Sequence, residues 1–238
     1  MGLSIIIPAH NEEETIGNTL FSIMRGLVKI GKYEIIVVND HSSDKTVDIV
    51  NDIGRISNNK IRLINNEYQA GFAHALLTGF QASSFEVVIP VMADLCDDIS
   101  TIELMSEKLV KGFDVVCGTR YIKGGQRLGG SKLKAFFSWF VGQSIYFFTQ
   151  IPTHDISNAF KMYRKEVIDN INIESRGFEI STEITLKAYF KGYKISEVPT
   201  VWKERTEGKS SFNIWKVLPH YLHWYLWAIG RRIIYIFS

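Results

Sequence analysis

The first part of the chain alternates short apolar runs with segments whose apolar residues recur every three or four positions. The apolar runs have the length of buried strands and lie at residues 3–7, 33–40, 61–66 and 85–94. The periodic segments favour amphipathic helices over residues 12–30, 43–53 and 70–83. Strands that alternate with helices of this length predict βαβ units and a mostly parallel sheet. We therefore expect an α/β, Rossmann-like fold with a mostly parallel sheet flanked by helices.

The pattern changes after residue 100, where strands become rarer and aromatic residues more frequent. The expected elements are a helix over about 100–111, a strand over 114–121, a glycine-rich basic loop over 122–132, an aromatic helix over 133–151, an element pair over 155–168, a helix over 178–193, a strand over 194–202 and an aromatic, basic tail over 212–238. The third helix carries small residues at Gly71, Ala75 and Gly79.

Polar clusters follow three of the predicted strands. They read PAHNE after the first strand, NDHSSD after the second and MADLCDD after the fourth. The carboxyl ends of parallel strands lie at one edge of a sheet, where ligands bind in such folds. These clusters therefore predict a single site at that edge.

Composition narrows the class of protein. The 238 residues carry 27 Lys plus Arg against 25 Asp plus Glu, a formal charge of +2 that does not favour nucleic acid as a partner. Two cysteines, Cys96 and Cys117, make neither a disulfide framework nor a zinc set and favour a reducing, cytosolic compartment. We expect no secretory signal, and no uninterrupted apolar run reaches the length of about 18 residues typical of a membrane span.

The acidic cluster after the fourth strand allows two interpretations. Asp94, helped by Asp97 or Asp98, could bind a metal ion or a phosphate-bearing ligand, although Met92 cannot bind a hard ion. Alternatively, Asp97 and Asp98 cap the helix that follows. Mg²⁺ commonly takes one or two protein carboxylates together with phosphates and water, so Asp94 alone does not disqualify a metal site.

Seven motifs in order resemble a known family over nearly the full length. They read IIIPAHNEEETI, IIVVNDHSSDKT, AGFAHALLTGF, MADLC, VVCGTRYIKGG, DISNAFKMYRKEV and GFEISTEITLKAYFKGYKISEVPTVWKERTEGKSS. Together they resemble the family 2 glycosyltransferases with a GT-A fold, in particular the dolichol-phosphate mannose synthase-like, or polyprenyl-phosphate glycosyltransferase, branch. The chain departs from that pattern where Met92 and Cys96 replace an Asp and a Gln, and at Asn39, His41, Asn158 and Ser211.

The resemblance implies a nucleotide-sugar site, for UDP- or GDP-hexose, at the strand ends. The residues it implies for the donor are Pro8, Ala9, Asn11, Glu12, Asp40, Gly71, Ala75, Ala93 and Asp94. It further implies Mg²⁺ or Mn²⁺ held by Asp94, with Asp98 as a second candidate. The alternative for the acidic residues of the first two clusters is that they cap helices.

The resemblance also implies a binding site for the phosphate of a polyprenyl acceptor. Its residues are Arg120, Arg127, Ser131 and Arg205, and the catalytic set is Asp94, Arg120 and Arg205. A lipid phosphate is already an anion and needs cations rather than a general base, and arginine forks suit phosphate oxygens. Asp155 would orient one arginine, or act as a base if the acceptor is a hydroxyl. Surface salt bridges are the alternative role for these arginines.

The aromatic segments fit such an acceptor. Trp, Tyr and Phe beside Lys and Arg are typical of helices at a membrane interface, although a core or a dimer interface is the alternative. We expect a GT-A domain over 1–212, which includes an interfacial helix at about 131–150, and a membrane-associating helix over 213–238. This organisation predicts a peripheral protein at the cytoplasmic face of a membrane, which could work with an integral-membrane partner.

Three functions follow in order of preference. The first is an inverting transferase that moves a hexose from a nucleotide sugar to a polyprenyl phosphate. The second transfers the sugar to a hydroxyl of a saccharide or lipid-linked saccharide. The third is a catalytically weak nucleotide-sugar-binding partner of a membrane complex, suggested by Met92.

Overall fold

The computed structural model describes residues 1–28, 30–205 and 214–237. In chain order the elements are β1 (Gly2–Ala9), α1 (Ile16–Gly26), β2 (Lys32–Asn39), α2 (Thr46–Ile56), β3 (Ile61–Asn65), α3 (Phe72–Ala82), β4 (Val87–Pro90), α4 (Thr101–Val110), β5 (Val115–Thr119), β6 (Gln126–Leu128), α5 (Lys132–Thr149), β7 (Lys161–Arg164), α6 (Lys165–Asp169), α7 (Ile180–Phe190), β8 (Ile195–Pro199), β9 (Val201–Lys203) and α8 (Ile214–Phe237).

Seven strands form the central sheet, in the order β3-β2-β1-β4-β7-β5-β8. Every pair in it is parallel except those of β7, which runs antiparallel to both β4 and β5. The predicted α/β fold with a mostly parallel sheet is confirmed. The predicted element pair over 155–168 consists of a loop, β7 and α6.

Side chains of the sheet alternate between two apolar layers. In β1, Ile5 and Ile7 pack on one face with α1, α2 and α4, whereas Ile6 packs on the other face with α3, α5, α7 and α8. Gly79 explains why α3 lies so close to the sheet, because a Cβ there would be 2.3 Å from Cγ2 of Ile6.

The strand β1 does not end before Pro8, as the sequence pattern had suggested. It continues to Ala9, and Pro8 pairs in register with Val38 of β2. On the other side, β4 pairs with β1 only as far as Ile6. At Pro8 the strand therefore has one neighbour, and a residue without an N–H is tolerated at such an edge.

A second, two-stranded parallel sheet, the β6–β9 ribbon, joins distant parts of the chain. It differs from the prediction of one loop over 122–132 and one strand over 194–202, because the late strand divides at Thr200 into β8 and β9. The amide of Lys203 donates to the carbonyl of Cys96 at 2.9 Å, and Asp97 forms an isolated bridge with Trp202. The ribbon therefore lies against the acidic cluster that follows β4.

The two aromatic segments form the long helices α5 and α8, which contact each other. The proposed domain boundary at 212/213, together with Ser211, lies outside the described residues. Within the part of the chain that the structure describes, no helix has both the length and the apolar character needed to cross a membrane.

Candidate active site

The ends of β1 and β2 are joined by Asp40, which is buried. Its amide donates to the carbonyl of Ala9 at 2.8 Å. Its carboxylate accepts from Nδ2 of Asn66 at 2.7 Å and from the amide of Gly71 at 2.9 Å. Asp40 thus holds the loop after β3 against the strand ends, and the base or ribose contact expected of it stays a prediction.

Asn11 and Glu12 follow β1 and have different surroundings. Asn11 has a positive φ of 53° and accepts from the amide of Ser43 through Oδ1 at 2.8 Å. Glu12 accepts from Oγ1 of Thr15 at 2.9 Å, and its second carboxylate oxygen faces Arg205. Both residues lie at the predicted edge of the sheet.

The helix-capping interpretation is correct for other acids of these clusters. Oδ1 of Asp44 accepts from the amide of Thr46 at 3.0 Å, at the start of α2. Oε2 of Glu13 accepts from the amide of Lys45 at 3.0 Å, at the same helix end. Glu13 and Asp44 therefore bond amides at the start of α2. Asp40 bonds the amide of Gly71, the N-cap of α3, and Glu12 bonds both Thr15, the N-cap of α1, and Arg205.

Three of the predicted donor residues lie in or beside the core. Ala75 is fully buried between α3 and the sheet. Ala93 is buried and accepts from Oγ1 of Thr19 at 2.7 Å through its carbonyl, while Pro8 is half-buried in β1. Any contact of these residues with a ligand would come from their backbone or from the shape they give to the strand ends.

Asp94 forms an ion pair with Arg205. Nη2 and Nε of Arg205 lie 2.7 and 3.1 Å from Oδ2 of Asp94, and Nη2 also lies 3.2 Å from Oε1 of Glu12. The three side chains are only 10–17% exposed. The other oxygen of Asp94 accepts from the amide of Cys96 at 3.1 Å. One guanidinium therefore bridges the ends of β1 and β4.

The remaining acids of this cluster are Asp98 and Asp97. Oδ1 of Asp98 accepts from the amide and the hydroxyl of Ser100, at 3.0 and 2.7 Å, in the turn that leads into α4. Asp97 is buried, and this burial together with nearby Asp94 raises its pKa to about 7. The contacts of Asp98 do not support the metal role predicted for it.

The same cluster limits how a metal could bind. Among the described residues no group of three His, Cys, Asp or Glu side chains could surround an ion. Burial raises the pKa of the Cys96 thiol, so it is not a thiolate at neutral pH. Asp94 can offer hard oxygen, which fits an ion that takes its other ligands from phosphates and water.

Arg120 is held by Asp155 in a buried bidentate pair. Its Nε and Nη2 donate to the two carboxylate oxygens at 2.7 and 2.8 Å, and its amide donates to Oδ2 at 3.1 Å. Asp155 is fully buried. Of the two roles left open for Asp155, this geometry supports orientation of the arginine rather than action as a base.

Arg127 lies in β6 and Ser131 at the start of α5. The guanidinium of Arg127 stacks on the ring of Trp202 at 4.4 Å, and its buried Nε has no hydrogen-bond partner among the described residues. Ser131 is the N-cap of α5 and accepts from the amide of Lys134 at 3.5 Å. A cationic group with unused donors therefore faces the space between the β6–β9 ribbon and α5.

A cavity of about 350 Å³ brings the predicted acceptor residues together. Its polar lining consists of Asp94, Arg120, Arg127, Ser131, Lys134, Ser138, Ser157, Glu204 and Arg205. Its apolar wall consists of Phe137, Val141, Trp202, Val217 and Leu218, mostly from α5 and α8. Sequence reasoning missed Ser138, Ser157, Trp202 and Glu204, although Ser138 is conspicuous as one polar residue within AFFSWF.

The outer surfaces of α5 and α8 expose large apolar side chains. On α5 they include Leu133, Phe136, Phe140, Phe147 and Phe148, and on α8 Leu218, Leu222, Leu226, Ile233 and Ile234. Phe147 is 70% exposed. Contiguous exposed apolar side chains typically mark a site of contact with a membrane or another protein.

Two curated relatives resemble the chain over most of its length. The chain is 28% identical to a dolichol-phosphate mannosyltransferase of Pyrococcus furiosus over 94% of its length, but it spans only 63% of that relative. It is 24% identical to a polyprenol monophosphomannose synthase of Mycolicibacterium smegmatis, covering 88% of this chain and 80% of the relative.

Solved structures share the fold at low identity. Glucosyl-3-phosphoglycerate synthase from Mycobacterium tuberculosis, in complex with Mn²⁺, UDP and glucosyl-3-phosphoglycerate, superposes with a TM-score of 0.72 at 17% identity, covering 96% of this chain and 80% of that one. The same enzyme with phosphoglyceric acid gives a TM-score of 0.74. The predicted GT-A fold is confirmed.

The model of the family described as "Glycosyl transferase family 2" matches residues 4–171, well over half of the chain. The resemblance inferred from the motifs is thereby confirmed. The chain belongs to glycosyl transferase family 2.

Proposed function

We propose that the protein is an inverting glycosyltransferase that moves a hexose from a nucleotide sugar to a polyprenyl phosphate. The observation that carries this proposal is the cavity, which is lined by three arginines and by apolar side chains of α5 and α8. An anionic head group with a hydrocarbon tail matches both surfaces. The names of the two relatives, a dolichol-phosphate mannosyltransferase and a polyprenol monophosphomannose synthase, support the same acceptor class.

The chemistry is a single displacement. An oxygen of the acceptor phosphate attacks the anomeric carbon, the bond to the nucleoside diphosphate breaks, and the configuration inverts. Because the phosphate is already ionised, no proton has to be removed from it. Arg120, Arg127 and Arg205, with Ser131, would hold the phosphate, and Asp155 keeps Arg120 in place.

The nucleotide sugar would bind along the strand ends beside Asn11, Glu12, Asp40 and Gly71. Asp40 and Glu12 are carboxylates that could accept hydrogen bonds from a base or a ribose, and Asp40 already fixes the loop that carries Gly71. This arrangement suits a UDP- or GDP-hexose equally well. The strand ends would thus supply the donor half of the site, and the cavity the acceptor half.

Mg²⁺ or Mn²⁺ would be held by Asp94 together with the donor's phosphates. Bound there, a divalent ion supplies positive charge that offsets the charge of the departing nucleoside diphosphate. The complex of the fold neighbour with Mn²⁺ and UDP supports this use of a metal. Arg205, which now contacts Oδ2 of Asp94, would share that carboxylate with the ion or leave it.

The exposed apolar faces of α5 and α8 would rest on the cytoplasmic surface of a membrane, where the acceptor resides. Exposed Lys132, Lys216 and Arg231 on the same helices could contact anionic head groups. This peripheral attachment brings the open end of the cavity to the lipid. An integral-membrane partner could cover part of the same faces.

A hydroxyl acceptor is the second candidate. Glu204 lines the cavity, and its Oε2 accepts from the amide of Gly130 at 2.8 Å. A carboxylate in that position could take the proton of an attacking hydroxyl. The fold neighbour was solved in one complex with phosphoglyceric acid and in another with glucosyl-3-phosphoglycerate. These complexes support acceptors other than lipids.

The test is nucleoside diphosphate release from a panel of UDP- and GDP-sugars, with and without a short polyprenyl phosphate and Mn²⁺ or Mg²⁺. We expect release that requires both the lipid phosphate and the metal and that Asp94→Ala abolishes, while Asp98→Asn retains it. Release with a saccharide acceptor alone would favour the hydroxyl candidate. Donor binding without release on any acceptor would leave a binding partner of a membrane complex.

A further inference from the structure

We propose that Ser138 and Ser157 act as one shared hydrogen-bond donor to the acceptor phosphate. Both line the cavity, Ser138 from α5 and Ser157 from the loop before β7. Their hydroxyl oxygens lie 2.7 Å apart, and Nη2 of Arg120 donates to the Ser138 oxygen at 3.0 Å. The inference rests on the proposed function, because it assigns a further donor to the acceptor of that reaction.

One hydroxyl hydrogen of this serine pair has no acceptor in the part of the chain that the structure describes. Two hydroxyls carry two hydrogens, and one of these is used in the bond between them. Arg120 already donates into Ser138, so its contact consumes no hydroxyl hydrogen. Neither serine has a further hydrogen-bond partner among the described residues. Whichever serine donates to the other, one O–H is left without an acceptor.

The surroundings of that O–H select an anion as its acceptor. Arg120 is held so that Nε and Nη2 face Asp155 and Ser138, while Nη1 has no hydrogen-bond partner within the described part of the chain. The cavity that Arg120, Ser138 and Ser157 line therefore has, within the described residues, one guanidinium NH₂ group without a hydrogen-bond partner and one hydroxyl hydrogen without an acceptor. A phosphate, whose oxygens only accept, satisfies both donors, whereas water or a hydroxyl group would bring hydrogens of its own.

The test is the affinity of the full-length protein for farnesyl phosphate in detergent micelles, measured by isothermal titration calorimetry. Ser138→Ala/Ser157→Ala removes both hydroxyls, and we expect about tenfold weaker binding, the usual effect of one hydrogen bond to a charged group. Each single variant keeps one hydroxyl whose hydrogen is free, so each should lose less than the double variant. Farnesol, which lacks the phosphate, should bind wild type and double variant equally.

Ser144→Ala is the matched control, because Ser144 lies on the same helix and bonds only to the carbonyl of Val141 at 3.1 Å. The proposal would be overturned by an equal loss of affinity in this control or by no loss in the double variant. It would also be overturned if the double variant lost affinity for farnesol in parallel, or if the wild type did not bind farnesyl phosphate. Wild type that binds the lipid but transfers no sugar would contradict the proposed reaction and leave this assignment standing.

Discussion

Asp94 and Arg205 lie far apart in the sequence, yet their side chains form a partly sheltered ion pair that also includes Glu12. In the free protein the carboxylate proposed to bind a metal is therefore already neutralised by a guanidinium. A divalent ion that approaches Asp94 has to compete with Arg205. This competition can be measured without any sugar transfer.

We predict that Arg205→Gln increases the affinity of the protein for Mn²⁺. Removal of the guanidinium leaves Asp94 without its counter-ion, and a partly exposed ion pair worth about 1 kcal/mol corresponds to about a fivefold change. Electron paramagnetic resonance of free Mn²⁺ in a titration would measure it.

Arg127→Gln is the control, because it removes the same charge from the same cavity but leaves the Asp94 pair intact. An equal gain in both variants would mean that net charge, rather than the contact with Asp94, governs the affinity. In the double variant Asp94→Asn/Arg205→Gln, the gain in Mn²⁺ affinity should be absent.

Asp97 makes stability depend on pH. Burial and the neighbouring Asp94 raise its pKa from 3.8 to about 7, so the folded protein keeps a proton that the unfolded chain has lost. Between these two values the contribution of Asp97 to stability therefore falls as the pH rises, because this group holds more protons in the folded state than in the unfolded one. We predict that Asp97→Asn flattens this fall, as judged by melting temperatures of metal-free protein from pH 4 to 8.

The neighbouring Asp98→Asn variant should retain the pH dependence of the wild type. The amide side chain keeps an oxygen that can accept from Ser100, so the turn before α4 is preserved. A flat profile in the wild type, or a flattened one in Asp98→Asn, would contradict the assignment to Asp97.

For individual residues, the sequence indicated which residue types matter but not how they pair. Motif order identified Asp94, Arg120, Arg127, Ser131 and Arg205, which do line one cavity. The pairing of Arg205 with Asp94 could not be predicted, because no local sequence pattern links residues that are brought together only by the fold. Ser157 lies inside the motif DISNAFKMYRKEV, but its contact with Ser138 depends on where α5 packs.

Among the elements, α5 depends on a glycine for its position. A Cβ at Gly142 would lie 2.1 Å from the carbonyl oxygen of His154, which belongs to the loop that carries Asp155 and Ser157. Backbone atoms cannot move aside as a flexible side chain does. The small residue therefore sets the distance between α5 and the polar end of the cavity.

We predict that Gly142→Ala lowers the free energy of unfolding by about 1–3 kcal/mol, the usual cost of overpacking. It should also weaken farnesyl phosphate binding, because α5 carries Ser131 and Ser138. Chemical denaturation and calorimetry would measure the two effects.

Gly230→Ala in α8 provides the opposite expectation. Nothing described lies within 4 Å of a Cβ there, so the substitution should stabilise the helix by about 0.5–1 kcal/mol. If both glycine variants changed stability in the same direction, the close approach at Gly142 would not be the cause.

The elements themselves were predictable to different degrees. β1 to β3 and α1 to α3 repeat a strong periodicity, and all six form close to where they were expected. β6 and β9 have three residues each and no periodicity of their own, and they become strands only through pairing with each other. Their prediction would have required the tertiary structure.

For the whole molecule, the exposed apolar residues are distributed unevenly. Many of them lie on α5 and α8. On the opposite side of the sheet, α4 exposes Val110, which is 75% exposed. If α5 and α8 rest on a membrane, charges placed on them should prevent binding. Charges on α4 should not.

We predict that Phe136→Glu/Phe147→Glu reduces flotation of the protein with anionic phospholipid vesicles by about tenfold or more, since charges replace two aromatic side chains that would contact the membrane. Both side chains are exposed, so the melting temperature should be unchanged. Val110→Glu is the control and should float like the wild type. Wild type that fails to float would contradict the proposed membrane contact.

The β6–β9 ribbon also has a consequence for how the protein folds. It pairs residues 126–128 with residues 201–203 and touches Cys96 and Asp97, so its contacts close very long loops. Contacts between residues so distant in sequence form slowly, because the chain must lose much of its freedom first. The parallel units built from β1 to β4 can assemble earlier from nearer neighbours. A refolding chain should therefore regain its helical circular dichroism before the cavity closes, and catalytic competence should be the last property it acquires.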